Sequence, residues 1–158
     1  MSQTSDETPT ARLAALGLEL PKAAAPVATY VPVARTGSLL VVSGQLPLSG
    51  GTLKATGKLG EDVAAELGRE CAELCFLNIL AQVQAELGDL ARVKRIVRLG
   101  GFIACTPDFT QHATVMNGAS DLAVAVFGDA GRHARSTIGV PSLPLDAPVE
   151  VEALIEIA

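Results

Sequence analysis

An α+β layer, with two helices on one face of a mixed β-sheet, is the fold class this sequence predicts, and three observations predict it. The segment from Asp62 to Leu87 carries apolar residues in steps of three or four, which is the period of a helix. The segment from Val149 to Ile157 alternates apolar and polar residues, which is the period of a strand with one face buried. Between and before them, β-branched runs and a second helical pattern follow one another in the order strands, helix, strand, helix, strands.

Residues 1 to 10 are polar and acidic and read as a disordered tail ahead of a single domain spanning residues 11 to 158. Ala11 to Leu16 reads as a short helix stopped by Gly17, and Pro21 to Pro26 as an Ala/Pro-rich connector. From Tyr30 the chain is expected to run extended, turning at Arg35 to Ser38 into Leu39-Leu40-Val41-Val42. Four consecutive aliphatics predict a strand covered on both faces. It ends at Ser43-Gly44-Gln45, where glycine allows a ligand to approach the main chain or the strand to bulge. Ser49-Gly50-Gly51-Thr52 is a turn.

The long helix shows two apolar stripes, Val63-Leu67-Cys71-Leu74-Leu77-Ala81 and Phe76-Ile79-Leu80-Val83-Leu87. One is expected on the sheet and the other against a neighbouring helix, with Gly88 closing the helix. Val93 to Cys105 reads as a strand interrupted at Gly100-Gly101. Thr106-Pro107-Asp108 signals the start of a second helix with Val115, Leu122, Ala123 and Val126 on its apolar face. In the last strand Val149, Val151, Ala153, Ile155 and Ile157 share one face. Glu150, Glu152, Leu154 and Glu156 share the other, and three glutamates require solvent or a countercharge.

Aromatics make up only 3% of the residues and tryptophan is absent, so the core is aliphatic and offers few platforms for stacked bases. The net charge of −5 opposes nonspecific binding to a phosphate backbone, and nucleic acid is not an expected partner. Arg92, Lys94, Arg95 and Arg98 form the densest basic run and read as the solvated side of a strand. Three cysteines, Cys71, Cys75 and Cys105, without CxxC or Cys/His spacing, point to a reducing compartment and no metal site. Cys71 and Cys75, four residues apart, share a helix face as small core residues. The N-terminus lacks a signal-peptide pattern and no apolar run reaches the ~20 residues of a membrane span, so a soluble, cytoplasmic protein is expected.

The candidate chemistry lies in Arg135 and Glu150, fifteen residues apart. Each falls on a predicted strand, and the Pro141 to Pro148 loop between them would let neighbouring strands hold both charges in one cleft. A guanidinium grips a carboxylate through two parallel hydrogen bonds, and a nearby glutamate can deprotonate water. The pair therefore suits a small carboxylated molecule, or serves as a structural ion pair.

The order and spacing of several short motifs resemble the RidA/YjgF family of reactive-intermediate deaminases, also labelled L-PSP endoribonucleases. They are Tyr30 set thirteen residues before Ser43-Gly44-Gln45, Pro47, Val115-Met116-Asn117, Ala134-Arg135-Ser136, Leu143-Pro144 and Val149-Glu150-Val151-Glu152-Ala153. The resemblance runs from Tyr30 to Ile157, and the extra N-terminal stretch is similar to a longer-chain subgroup. It implies a chorismate-mutase-like subunit, a homotrimer, and a ligand cleft at each subunit interface. It implies that Arg135 binds a substrate carboxylate and that Glu150 holds the attacking water. Tyr30, Ser43, Gly44 and Asn117 are implied pocket residues, and Thr137, where family members often carry cysteine, is implied to contribute mainly its backbone. The implied reaction hydrolyses a 2-imino acid, formed from an enamine, to a 2-oxo acid and ammonia with no cofactor. The alternatives are noncatalytic binding of a 2-oxo or amino acid and an endoribonuclease. The latter would need His112, read as a surface residue, or His133, read as a loop residue, for proton transfer.

Overall fold

The computed structural model describes residues 7–26 and 28–158. The first six residues of the expected tail lie outside them. Helix α1 runs Pro9–Ala15, starting earlier than Ala11 because the Thr8 hydroxyl accepts the Ala11 amide at 3.1 Å and Pro9 suits a first turn.

One five-stranded sheet carries the fold, in the order β1-β2-β7-β5-β6. Its strands are β1 (Val33–Thr36), β2 (Leu39–Gln45), β5 (Val93–Ala104), β6 (Ala134–Val140) and β7 (Val149–Ile157). The β5/β6 pair is parallel and the other pairs antiparallel, so the sheet is mixed, as expected. A small hairpin, β3 (Leu48–Ser49) with β4 (Thr52–Leu53), turns at Gly50-Gly51. Helices α2 (Ala65–Leu87) and α3 (His112–Phe127) pack together and cover one face.

The buried residues of α2 come from both stripes and meet both the sheet and α3. Cys71, Cys75, Phe76, Ile79, Leu80 and Val83 are fully buried between the sheet and α3. Beneath them lie Val149, Val151, Ala153, Ile155 and Ile157, the buried side of β7. Each such aliphatic side chain contributes about 1.5–3 kcal/mol by leaving water. The two helices approach closely at Gly118, where an added Cβ would collide with the Arg69 carbonyl oxygen. Gly88, at φ 80°, ends α2 in the left-handed conformation that its position after the last turn suggests.

Several expectations are corrected. β5 is continuous through Gly100-Gly101. Its glycines make room and do not break the strand: a Cβ on Gly100 would sit 2.7 Å from Glu152 Oε1, and one on Gly101 2.6 Å from Met116 Sδ on the other face. Helix α3 begins at His112 and not at Thr106, because the Thr106 amide bonds the Leu59 carbonyl at 3.0 Å and keeps the chain extended there. The β2 strand is covered on one face only, with Leu40 and Val42 buried but Val41 47% exposed. The basic run on β5 is partly paired with the glutamate face of β7: Lys94 Nζ lies 3.3 Å from Glu156 and Arg98 Nη1 3.5 Å from Glu152. No helix among the described residues is long and apolar enough to cross a membrane.

Candidate active site

Arg135 and Glu150 do not share a cleft within one chain. Strand β5 lies between β6 and β7, and the two side chains leave the sheet on opposite faces. Arg135 is in register with buried Leu99 and points toward α3, whereas Glu150 is in register with Phe102 and points to the face without helices. Fifteen residues of separation suggested adjacency, but β5, contributed from earlier in the chain, inserts between the two strands.

The Arg135 side is a network. Its Nη1 donates to Asn117 Oδ1 at 2.8 Å and to Ser120 Oγ at 3.0 Å. Asn117 and Ser120 are three residues apart on α3 and therefore share a face. Ser120 Oγ lies 2.8 Å from His133 Nε2, and His133 Nδ1 lies 2.7 Å from the Gly131 carbonyl. A carbonyl only accepts, so Nδ1 carries a proton toward Gly131, and Nε2 shares a hydrogen bond with the Ser120 hydroxyl. That hydroxyl presents its lone pair to Arg135. The guanidinium is thus held by one nitrogen, and its remaining N–H donors have no protein acceptor among the described residues. Two residues along β6, Thr137 Oγ1 is buried and has no partner among the described residues.

The Glu150 side is a carboxylate over a glycine. Strand β2 bulges at Ser43-Gly44, where Val42 pairs with Ala153 but Gln45 with Val151. Gly44 lies under Glu150, and a Cβ there would collide with Glu150 Oε1. Ser43 Oγ donates to the Val31 carbonyl at 2.8 Å and its amide to Pro32 at 2.9 Å, which ties the Tyr30 segment to the bulge. Tyr30 itself is exposed. Burial, and then the negative charge of Glu152, push the Glu150 carboxyl above the ordinary carboxylate range.

Sequence reading missed Ser120 and His133 as parts of this site. His133 and Arg135 are two apart in a segment that continues into a strand, so their shared side was a usable signal; Ser120, three residues after Asn117, was another. His112 is also not a free surface residue, since its Nε2 lies 3.6 Å from Cys105 Sγ. No cluster of three or more metal-ligating side chains occurs among the described residues.

The fold and its two polar clusters define a class, an α+β domain with a fixed arginine on one sheet face and a desolvated glutamate on the other. The chain belongs to the YjgF family, matching over residues 10–157 the family model described as "YjgF/chorismate mutase-like, putative endoribonuclease". It is 47% identical to Protein TCP17 of Trypanosoma cruzi over 99% of both chains. It is 31% identical to a 2-iminobutanoate/2-iminopropanoate deaminase of Salmonella typhimurium, over 84% of this chain and 90% of that one. Among solved structures, the protein Atu1372 of unknown function from Agrobacterium tumefaciens superimposes with a TM-score of 0.90 at 47% identity, covering 95% of this chain and 92% of the other. E. coli TdcF with bound serine superimposes with a TM-score of 0.64 at 25% identity, covering 87% and 94%.

Proposed function

We propose that copies of this chain assemble, as a homotrimer, so that the Arg135 cluster of one copy meets the Glu150 cluster of the next, and that this cleft hydrolyses 2-imino acids to 2-oxo acids and ammonia. The observation that carries the reading is the split itself. A complete carboxylate-and-water site cannot form on one protomer, yet each half is built as if for a partner. The face bearing Glu150 supports assembly, because Val41 with its cross-strand partner Leu154, and Phe102 with Ile138, leave apolar surface on it, Ile138 being 52% exposed.

In the cleft the unoccupied donors of Arg135 bind the substrate carboxylate, with the Thr137 hydroxyl beside them. Tyr30, Ser43 and Gly44 form the opposing wall. Glu150 takes a proton from water as the water oxygen bonds to the imine carbon and the C=N π pair moves to nitrogen. The protonated Glu150 then returns a proton to that nitrogen. The product is a carbinolamine; Glu150 takes its hydroxyl proton and passes it to the nitrogen as the C=O bond forms, the C–N bond breaks and ammonia leaves, which regenerates the carboxylate. A carboxyl with a raised pKa suits both transfers, being a better base than an exposed glutamate and easier to hold protonated between the steps. The name of the Salmonella relative and the serine bound to TdcF both support a small amino-acid-like ligand.

The test is 2-oxo acid release from imino acids generated in place by an amino acid oxidase. The wild type should accelerate release and Arg135→Ala should not, with light scattering reporting the mass of both. A wild type that binds 2-oxo acids but accelerates no imine hydrolysis would replace this reading with noncatalytic carboxylate binding.

A further inference from the structure

Cys105 and His112 take no part in the site above, yet they face a separate cleft of about 580 Å³ that Lys58, Glu61, Phe109 and Gly139 also line. Cys105 Sγ and His112 Nε2 are 3.6 Å apart, hydrogen-bonding distance for sulfur. His112 opens α3 and Cys105 follows the end of β5, so two rigid elements hold the pair. The edge of the Phe109 ring packs on the imidazole at 5.3 Å between centroids and 62° between planes. Gly139 lets β6 approach the pair closely: a Cβ there would lie 2.7 Å from the sulfur and 2.8 Å from the nitrogen. The other two cysteines are buried in the core, which leaves Cys105 as the accessible thiol.

We propose that Cys105 and His112 form a nucleophile and base that capture small aldehydes as hemithioacetals. The sulfur bonds to the carbonyl carbon while the C=O π pair moves onto oxygen. The thiol proton passes to His112 Nε2, in the tautomer protonated at Nδ1, and from there to that oxygen. The adduct is neutral and the imidazole returns to its starting form. An aldehyde is the electrophile two groups can serve, because addition needs neither a leaving group nor an outside oxidant. Lys58 also lines the cleft and supplies positive charge there. Burial holds the Cys105 thiol above its ordinary range, so its proton has to be taken at the moment of attack.

The experiment follows iodoacetamide labelling of the folded full-length protein by peptide mass spectrometry, with and without millimolar propanal. Cys105 should label first, and propanal should slow it. His112→Ala should lower the labelling rate at pH 7 by roughly tenfold, the difference closing at alkaline pH where hydroxide replaces the base. Gly139→Ala keeps both residue types but drives a methyl against the sulfur and the imidazole, and should abolish protection by propanal. Equal rates in wild type and His112→Ala at every pH would overturn the proposal, as would absent propanal protection in the wild type or unchanged protection in Gly139→Ala.

Discussion

The two polar clusters of this protein are built on opposite principles. Around Arg135 every acceptor is accounted for: Asn117 and Ser120 grip one guanidinium nitrogen, and His133 and the Gly131 carbonyl fix Ser120 in turn. Around Glu150 nothing is gripped: the carboxylate sits over a glycine in a strand bulge, near a second glutamate that is itself paired with Arg98. A group that binds works best when its orientation is settled beforehand, because the ligand then loses less entropy on arrival. A group that moves protons works best when its charged form is not too comfortable. The contrast separates positioning from reactivity.

Substitutions sharpen that contrast, beginning with the largest expected effect. Arg135→Ala should lower kcat/KM by roughly 10³-fold, about 4 kcal/mol, since it removes the charged grip on the carboxylate. Arg135→Lys should recover little of it, because an ammonium cannot reproduce the planar fork. Steady-state kinetics on pre-formed imino acids measures both.

Glu150→Gln should lower kcat by roughly 10²-fold with little change in KM, as expected for loss of proton transfer alone. It should also make the protein more stable at neutral pH. A carboxyl whose folded pKa is raised binds more protons folded than unfolded, so stability falls as pH rises from the ordinary glutamate range through the folded pKa. Removing the group removes that fall, and thermal melts of the two proteins across pH 4 to 8 should diverge as pH rises. A glutamine variant equally or less stable at pH 7 would mean that burial does not strain Glu150.

Gly44→Ala displaces the Glu150 carboxylate without changing its chemistry and should cost about tenfold in kcat, because small misplacements of a reacting group are expensive. Ser120→Ala removes one of two tethers on Arg135 and should raise KM by roughly fivefold, about 1 kcal/mol, leaving kcat nearly intact. A fall in kcat alone would place Ser120 in the proton path and out of the binding network.

Legibility in the sequence followed the range of the interactions. The two stripes of α2 and the alternation of β7 are local periodicities; β7 sits where its period puts it, whereas α2 starts at Ala65 and leaves Val63 outside the helix, in a bridge to Leu59. The placement of β5 between β6 and β7 is a long-range pairing that no periodicity reports, and it moved Arg135 and Glu150 to different faces. Gly100-Gly101 misled because a glycine pair in a strand reads as a break, whereas here each glycine yields space to a side chain on its own side of the sheet. The motifs around Arg135 and Glu150 were visible as residues. The Ser120–His133 support was not, since it joins the middle of a helix to a segment thirteen residues away.

In the proposed homotrimer, the division of the polar clusters between two sheet faces has a genetic consequence. An Arg135→Ala chain carries an intact glutamate cluster, and a Glu150→Gln chain carries an intact arginine cluster. Unfolded together and reassembled as closed rings, the two inactive proteins should complement one another, with about a quarter of the clefts drawing their sound halves from different subunits. Two alleles that each abolish activity alone would then restore part of it in a cell that makes both.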